Sequence, residues 1–283
     1  MKPLYPFLLL GILLAISSCK KEEVTIDARE VLSEWRLTGV HTTSSFTDFN
    51  GLFRTREIFE SYSYDDQGRL EWVDKEQKSD GEVISLSRKS HHYQGDLLER
   101  TESVNQLSAS ADPPTIVTAY AYDNNQRLTS SERYRSQNGT ISYYPYDEYH
   151  YGQDRQVQRV DRFKTSSKEE MEGVIYYKWE NGNLTSESHH VGEDEQLYVR
   201  YFREYDNRIN PYALKATNPL GVLTSLSNVV LERAQDGGWY HGPGIIDSEW
   251  EYNENGLPVQ VTRSYFQNVV INAVTVFEYE RVP

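Results

Sequence analysis

Few residue combinations in this sequence could carry out catalysis or hold a metal ion. The most conspicuous are two histidine pairs, His91-His92 and His189-His190. Both pairs lie in stretches that predict β-strands, where neighbouring side chains point to opposite faces, so neither pair can chelate a metal alone. The sequence contains no metalloprotease, P-loop, nucleophile-elbow or EF-hand motif. We therefore predict no catalytic residue, no metal site and no cofactor.

Aromatic side chains are the stronger candidates for ligand contacts. The chain has 22 Tyr and 5 Trp residues, and their flat rings suit sugar faces and peptides alike. Our candidate ligand-binding residues are Tyr177, Trp179 and Trp250. The alternative, which the sequence favours, is that such rings form a half-polar core, because aliphatic residues are too few to fill a thick one.

The charge balance excludes several classes of partner. The chain carries 43 acidic against 29 basic residues, a formal net charge of -14. Nucleic acid and anionic lipid both require a basic footprint, so unaided binding to either is not expected. With so many carboxylates, some pair must approach the separation used by glycosidases. A glycan-degrading enzyme is therefore only a weaker alternative.

The N-terminus predicts export. Phe7 to Ile16 is an almost unbroken apolar run that is too short to span a bilayer, as in a secretory signal peptide. The segment resembles a bacterial lipoprotein signal whose lipobox is Ile16-Ser17-Ser18-Cys19. This resemblance implies a signal peptide over 1–18, cleavage before Cys19, and acylation of its thiol and of the new amino terminus. Cys19 is the chain's one cysteine, so no internal disulfide can form.

A charged segment follows the cysteine. Lys20, Lys21, Glu22 and Glu23 lie in the predicted lipidated tether, residues 19–30. The run reads as a solvated spacer, and it is also similar to the signal that sends Bacteroidota-type lipoproteins to the outer face of the outer membrane. The resemblance implies an outer-membrane, lipid-anchored protein exposed at the cell surface.

Residues 31–283 contain a repeat. Turn-like segments rich in Asp, Asn and Gly each follow an aromatic residue, and these residues are called the lead aromatics below. They are Tyr64, Tyr93, Tyr122, Tyr151, Trp179, Tyr205 and Tyr252. Their spacings are 29, 29, 29, 28, 26 and 47 residues. Each segment has the chemistry of a tight hairpin turn, with a bulge expected at the glycine.

The flanks of each turn alternate with period two, which indicates β-strands. A second large side chain stands two residues before each lead aromatic, on the same face of the strand. These positions are Tyr62, His91, Tyr120, Tyr149, Tyr177, Arg203 and Trp250. The predicted fold is all-β: a single long antiparallel meander of about fourteen strands, curled into a half-barrel or a loosely closed barrel.

Two further features refine this prediction. An irregular insertion at about 210–247 occupies the long spacing, includes a short helix near Tyr212, and could plug an open end of the sheet. Arg159 and Asp161 are expected to share a strand face with Val157, and Arg162 lies on the opposite face. Neither face is then apolar enough for lipid, so the barrel is expected to be solvated and attached through Cys19.

The turn sequence Tyr64-Asp65-Asp66-Gln67-Gly68-Arg69-Leu70 resembles the YD repeat of Rhs-type proteins, and Tyr122 to Leu128 resembles it in part. Together with the lipobox and Asn210-Pro211-Tyr212, the chain is similar to Bacteroidota lipoproteins with a porin-like, curled antiparallel sheet. We expect a non-enzymatic surface lipoprotein that binds a glycan, a peptide or a protein partner. The alternative is a structural or accessory subunit of an outer-membrane complex.

Overall fold

The protein was analysed as a computed structural model, which describes residues 34–47, 50–107, 113–153, 155–192, 196–214, 224–236, 244–267 and 269–282. Sixteen β-strands and one 3₁₀ turn, Pro211–Ala213, make up the described secondary structure. The strands are β1 Trp35–Thr47, β2 Phe53–Tyr64, β3 Leu70–Ser79, β4 Glu82–Gln94, β5 Leu97–Asn105, β6 Thr115–Tyr122, β7 Leu128–Gln137, β8 Thr140–Tyr151, β9 Val157–Phe163, β10 Met171–Glu180, β11 Asn183–Val191, β12 Gln196–Ile209, β13 Ser227–Asp236, β14 Ile245–Tyr252, β15 Pro258–Gln267 and β16 Val269–Arg281.

The strands form one antiparallel meander that closes into a barrel. Each strand pairs with its neighbours in sequence, and β1 pairs with β16 to complete the ring. This confirms the predicted all-β meander and shows that it is fully closed. The prediction of about fourteen strands counted only the seven hairpins with a turn, and therefore omitted β1 and β16. Among the described residues, we find no helical segment that could span a bilayer.

The turns after the lead aromatics share one end of the barrel, called the Tyr-Asp end. In the first turn, the Asp65 carboxylate accepts hydrogen bonds from the backbone N–H groups of Gln67 and Arg69, at 2.9 and 2.8 Å. Gly68 adopts a φ of 75° there, which glycine reaches without strain. The third turn repeats this pattern with Asp123 and Arg127. Asp and Gly thus fix the turn in the way their types predicted.

A β-bulge follows each turn, although not at the glycine. Tyr64 pairs with Leu70 but Ser63 pairs with Trp72, which leaves Glu71 as the extra residue. The same shift recurs beside the six other lead aromatics, Tyr93, Tyr122, Tyr151, Trp179, Tyr205 and Tyr252. Because of the extra residue, Leu70 and Val73 both face the inside of the barrel although they are three residues apart.

This bulge overturns one sequence-based expectation. Tyr151 pairs with Val157 and His150 with Arg159, so Gln158 is the bulged residue. Val157 therefore joins Val160 in a buried inner cluster, and it does not share a face with Arg159. Arg159 instead lies on the outer wall, where Nε donates to the Asp161 carboxylate at 2.5 Å. The prediction was wrong because strict alternation had been carried through a bulge.

The pairing of β1 with β16 has the same bulge as the hairpins, although no turn connects these two strands. Leu37 pairs with Tyr279 and Gly39 with Glu278, so Thr38 is bulged as Glu71 is in the first hairpin. The two ends of the described chain thus supply an eighth unit, and a backbone hydrogen bond from Val282 N–H to the Glu34 carbonyl extends it. The barrel is held closed by the same local geometry that forms its hairpins.

Neighbouring units are joined by one recurring hydrogen bond, called the inter-unit hydrogen bond. An aromatic hydroxyl or indole N–H of one unit donates to the backbone carbonyl beside the bulge of the preceding unit. The eight donor and acceptor pairs span 2.6–2.9 Å and are Tyr64–Leu37, Tyr93–Leu70, Tyr122–Leu98, Tyr151–Leu128, Trp179–Val157, Tyr205–Leu184, Trp250–Val229 and Tyr279–Pro258. The acceptor residues Leu37, Leu70, Leu98 and Leu128 are at most 3% exposed.

The arginine before the buried leucine completes this arrangement. Arg69 Nε donates to the Asp65 carboxylate at 2.8 Å, and its guanidinium lies 4.6 Å from the centre of the Tyr93 ring. Arg36 lies over Tyr64 at the same distance. Each such arginine therefore covers the aromatic ring that donates the inter-unit hydrogen bond. This explains in physical terms why Asp, Gly, Arg and Leu recur together.

The long spacing after Tyr205 contains more regular structure than the sequence indicated. Strand β13 and the start of β14 lie within 210–247, and they pair through Leu231 and Asp247. The irregular chain in the described part is confined to the connection around the 3₁₀ turn. Asn210 caps this turn by accepting a hydrogen bond from Tyr212 N–H at 3.0 Å. Cys19, the signal peptide and the tether of residues 19–30 lie outside the described residues.

We predict that Tyr122→Phe destabilises the barrel. The substitution removes the 2.8 Å hydrogen bond to the Leu98 carbonyl and leaves a buried acceptor unpaired, which costs about 1–2 kcal/mol. Urea unfolding followed by tryptophan fluorescence measures the change. Tyr143→Phe is the matched control, because the Tyr143 side chain is 57% exposed and its change should stay within about 0.5 kcal/mol. Equal changes in the two variants would contradict the role of the inter-unit hydrogen bond.

Candidate functional site in the barrel lumen

The structure places two of the predicted ligand residues on β10. Tyr177 faces the inside of the barrel and packs against Val157, Val160 and Ile175. Burial, followed by the nearby Glu187 carboxylate, raises the pKa of Tyr177 well above its ordinary value. The Trp179 indole N–H donates to the Val157 carbonyl at 2.7 Å. Since this N–H is the only donor of an indole, the polar atom of Trp179 is already used by the barrel itself.

The third residue, Trp250, lies in a different cluster. Its ring stacks on Phe277 with centroids 5.9 Å apart and planes at 16°, and its N–H donates to the Val229 carbonyl at 2.9 Å. Strands β10 and β14 are four strands apart, about 19 Å along the wall at 4.8 Å per strand. The structure therefore does not bring the three residues together, and their role in ligand binding stays a prediction.

The lumen contains a cavity of about 470 Å³ that the sequence did not reveal. Inner-facing residues of the five neighbouring strands β2 to β6 line it, and the 3₁₀ turn closes it at the Tyr-Asp end. Its polar and aromatic lining includes Glu60, Tyr62, Lys75, Ser87, Lys89, His91, Thr101, Ser103, Tyr120 and Tyr212. Two of the predicted inner-face rings, Tyr62 and Tyr120, are among these residues. Lys75 was missed because the bulge at Glu71 reverses the faces of that strand. Lys89 lies two residues before His91, on the face that simple alternation already points inward.

The charges of this cavity are unevenly paired. Glu60 accepts from Lys75 Nζ at 2.9 Å and from the Tyr62 hydroxyl at 3.0 Å, so its negative charge is compensated. Lys89, on β4, has no such partner among the described residues. Burial between the barrel walls, followed by the charge of Arg133 on β7, lowers the pKa of Lys89. The cavity therefore carries an excess of positive charge.

His91 is the buried polar group of the cavity. Its side chain is 9% exposed, and its Nδ1 atom has no hydrogen-bond partner in the described part of the chain. Burial, followed by the charge of Lys89, lowers the pKa of His91 to about 4, although a hydrogen bond with the Glu71 backbone partly opposes this. The imidazole is therefore neutral at pH 7. The sequence had marked His91 only as an inner-face position.

The floor of the cavity is built by the chain that follows β12. Leu214 is fully buried with Leu37, Val40 and Phe277, and Tyr212 meets the Phe277 ring edge-on at 6.0 Å. Burial, followed by the Glu60 carboxylate, raises the pKa of Tyr212 to about 12. The described part of the insertion thus packs against the inner wall at the Tyr-Asp end of the barrel.

A second charged cluster lies across the lumen and is internally satisfied. Arg203 donates to Glu187 at 3.0 Å and to Glu232 at 2.6 Å, and His189 Nε2 lies 2.6 Å from the Glu187 carboxylate. Burial alone would raise the pKa of Glu187, but the hydrogen bond with His189 and the charge of Arg203 outweigh it and lower that pKa. Every charge in this cluster has an opposite partner, so its role is to hold strands β11 to β13 together.

The histidine pairs are divided between the two faces of the wall. His91 and His189 face the lumen, whereas His190 lies on the outside with its ring 5.3 Å from that of Tyr176. His92 is also on the outside, with Nε2 3.6 Å from the Glu102 carboxylate. Within the described ranges, no three His, Cys, Asp or Glu side chains converge as metal ligands do.

Comparison with known proteins supports the fold. No protein-family model matches the sequence, and no curated protein matches it. Among solved structures, a porin-like protein from Bacteroides uniformis aligns with 86% of this chain and 98% of its own, at 9% identity and a TM-score of 0.57. At this identity the likeness shows a shared porin-like barrel and nothing about activity.

Two further alignments are weaker. A porin-like protein from Bacteroides vulgatus covers 84% of this chain and 97% of its own, at 9% identity and a TM-score of 0.38. The Tc holotoxin pore of Photorhabdus luminescens covers 81% of this chain and 15% of its own, at 11% identity and a TM-score of 0.21. TM-scores this low support no conclusion about fold or function.

We predict that His91 makes the barrel less stable in mild acid. Its pKa is about 4 when folded and about 6.5 when unfolded, so the unfolded chain binds the extra proton between these values. The stabilisation from neutral His91 is complete above about pH 6.5 and is lost as the pH falls towards 4. Between pH 8 and pH 5 we expect a loss of about 2 kcal/mol from this group.

The test compares wild type with His91→Gln by urea unfolding at pH 8 and at pH 5. Glutamine cannot be protonated in this range, so the variant should lose about 2 kcal/mol less than wild type over the interval. Other groups that titrate are common to both proteins and cancel in the difference. An identical loss in the two proteins would show that His91 does not titrate with folding.

Proposed function

We propose that this protein is a non-enzymatic, lipid-anchored outer-membrane surface protein that binds a glycan, a peptide or a protein partner, and that its lumen is the site for a small ligand. The observation that carries the proposal is the plugged cavity of about 470 Å³, lined by tyrosines, hydroxyls and an excess of positive charge. Ligand cavities fall in the range of about 300–1,000 Å³ and combine rings with a few convergent polar groups. A barrel with one closed end suits binding better than passage through it.

The outer wall supports a barrel that is surrounded by water. Arg88 forms two 2.7 Å hydrogen bonds with the Asp74 carboxylate at mid-strand. Arg100 pairs with Glu102 at 2.8 Å on the next strand. A basic side chain that faces lipid at the bilayer midplane costs about 2–4 kcal/mol. A wall with such pairs at mid-height favours attachment by an anchor over insertion of the barrel.

The direction of β1 agrees with an anchor at the Tyr-Asp end. Leu37, near the start of β1, accepts the inter-unit hydrogen bond from Tyr64, so β1 begins at that end. The resemblance of Ile16-Ser17-Ser18-Cys19 to a lipobox supplies the anchor, and three acyl chains would make attachment permanent. In this proposal, the cell-surface location rests on the resemblance of the segment after Cys19 to an export signal.

We predict that labelled palmitate enters the wild-type protein and not Cys19→Ala when each is expressed in a bacterium that processes lipoproteins. Detergent phase separation of the same samples then tests the solvated wall. Wild type should enter the detergent phase through its acyl chains, and Cys19→Ala should stay in the aqueous phase because its outer wall is charged. Equal labelling would exclude the anchor, and an unlabelled variant in the detergent phase would show that the barrel itself meets lipid.

An accessory role in an outer-membrane complex is the second candidate, and one observation favours it. Large exposed apolar side chains gather in or beside the loops at the end of the barrel opposite the Tyr-Asp turns. We call this set the apolar rim: Leu52, Phe53, Val83, Ile84, Leu107, Ile141, Tyr143, Val191 and Ile245. Exposed apolar patches of this kind mark interaction surfaces. Because the rim lies at the end away from the proposed anchor, it suits a protein partner better than the membrane.

The rim can be tested by co-purification from native envelopes. Phe53→Ser combined with Ile141→Ser should abolish recovery of a membrane-barrel partner, because these side chains are 71% and 51% exposed and lie on the rim. Phe202→Ser is the matched control, since Phe202 is 43% exposed but lies on the outer wall. Recovery of the same partner with the rim variant would exclude the accessory role through this surface.

A further inference from the structure

Lys89 lines the cavity without an acidic partner among the described residues, and the charge of Arg133 acts on it. On the inner wall, Glu60 is paired with Lys75, and Asp147 accepts from Arg162 at 2.8 Å. Within the part of the chain that the structure describes, neither Lys89 nor Arg133 forms an ion pair; Arg133 lies only over the Tyr144 ring, at 5.7 Å. Both side chains remain exposed to the water inside the barrel.

Lys89 lines the cavity, and Arg133, three strands further along on β7, lies on the same inward face of the wall. In the strand register, Lys89 lies opposite Val73 on β3 and Ser103 on β5. The next inward-facing residue of β4 is His91. His91 pairs with Thr101, Thr101 with Thr118, and Thr118 with Arg133, so one row of inner residues connects them. The long side chains project into the lumen from β4 and β7, and Arg133 acts electrostatically on Lys89.

Two like charges in a confined space lower the stability of the empty barrel. The chain has 43 acidic residues, and two other inner arginines, Arg203 and Arg162, are paired with carboxylates, whereas Arg135 donates to the neutral Gln137 side chain. Lys89 and Arg133, which lack an acidic partner, therefore indicate a binding site for an anionic ligand. An acidic residue at this point would stabilise the barrel and would compete with such a ligand.

A second, independent feature of the cavity points to a ligand. The Nδ1 atom of His91 is buried without a partner although the side chain is only 9% exposed. Buried polar atoms are nearly always hydrogen-bonded, and an exception calls for a missing partner. His91 lines the cavity, and because the neutral imidazole can donate or accept, this side chain can bond a hydroxyl of a ligand beside Lys89.

The remaining lining narrows the chemical class. Tyr62, Tyr120 and Tyr212 provide ring faces, and the hydroxyls of Ser87, Thr101 and Ser103 provide neutral hydrogen bonds. Rings with hydroxyls suit a saccharide, and two cations require that it carry negative charge. A space of about 470 Å³ is in the range for a small ligand and not for a polymer.

We propose that the lumen binds a small saccharide bearing a carboxylate or a sulfate group, and that Lys89 and Arg133 neutralise this group. The inference rests on the proposed lumen-binding function and assigns it a substrate class. Selection for negative charge comes from the two cations, and the fit to a sugar comes from the tyrosine and hydroxyl lining.

Calorimetric titration of the unlipidated full barrel tests the proposal with four probes: a galacturonate disaccharide, a sulfated disaccharide, neutral maltose and inorganic sulfate. At least one acidic disaccharide should bind about tenfold more tightly than maltose, with an affinity that falls as salt is added. A preference between the two acidic probes identifies the charged group. Sulfate that binds as tightly as either disaccharide would show a simple anion site and overturn the saccharide assignment.

The variants are Lys89→Gln and Arg133→Gln, and each should weaken the acidic disaccharide by about tenfold. Arg88→Gln is the matched control, because Arg88 is next to Lys89 on β4 but points outward to Asp74. It should keep wild-type affinity. Unchanged binding in both lumen variants, or an equal loss in the control, would overturn the proposal.

Thermal unfolding of the ligand-free proteins separates binding from a structural role. Removing an unpaired cation should raise the melting temperature of Lys89→Gln at low salt, whereas a structural lysine would lower it. If maltose binds wild type as well as the acidic probes do and Lys89→Gln leaves it unaffected, lumen binding stands and the anion assignment fails. If none of the probes binds at millimolar concentration, both the assignment and the saccharide form of the proposed function fail.

Discussion

The structure depends on one short hydrogen bond repeated around the barrel, from an aromatic side chain to the backbone carbonyl beside the preceding bulge. Tyr122 to Leu98 and Tyr279 to Pro258 are two examples. An isolated hairpin is marginally stable in water, and a sixteen-stranded wall cannot fill its centre with side chains. Each unit must therefore be fixed to the next one locally. The bulge brings the leucine carbonyl within reach of the ring, and the arginine beside it covers that ring.

This constraint divides the barrel into an apolar region near the Tyr-Asp end and a polar region above it. Near the Tyr-Asp end, leucines such as Leu37 and Leu98 are almost fully buried, and the insertion adds Leu214 to the apolar cluster around Leu37, which forms a floor on that side of the barrel. Above that floor the wall is polar on both faces, and its strands are joined by pairs such as Arg162 with Asp147. Paired charges tolerate water on both sides. The upper wall therefore does not need a filled core, and a cavity can remain inside it.

Sequence reasoning succeeded where residue type determines backbone geometry. Asp and Gly at Asp65 and Gly68 identify a turn wherever they occur, and period-two alternation identifies the strands between them. It failed where geometry has no residue signature. The bulged residues Glu71 and Gln158 have no common type, and each reverses the faces assigned to its strand. The sequence left a half-barrel and a closed barrel as alternatives and did not identify β1 and β16 as the closing strands, because no turn sequence links residues that pair across the whole length of the chain.

The same reasoning explains why the aromatic candidates and the cavity differ. Trp179 and Trp250 were chosen for their rings, but the frame of the barrel uses their N–H groups, and the Trp250 ring also packs against the apolar cluster around Leu37. A residue that holds two units together cannot change with the ligand without loss of stability. Side chains at mid-wall positions such as Lys89 do not join two units, because the backbone pairing of the strands holds these positions in place whatever the side chain is. The side chains that contact a ligand can therefore vary on the inner mid-wall while the turns, bulges and inter-unit hydrogen bonds stay constant. The same barrel frame can thus enclose cavities with different linings.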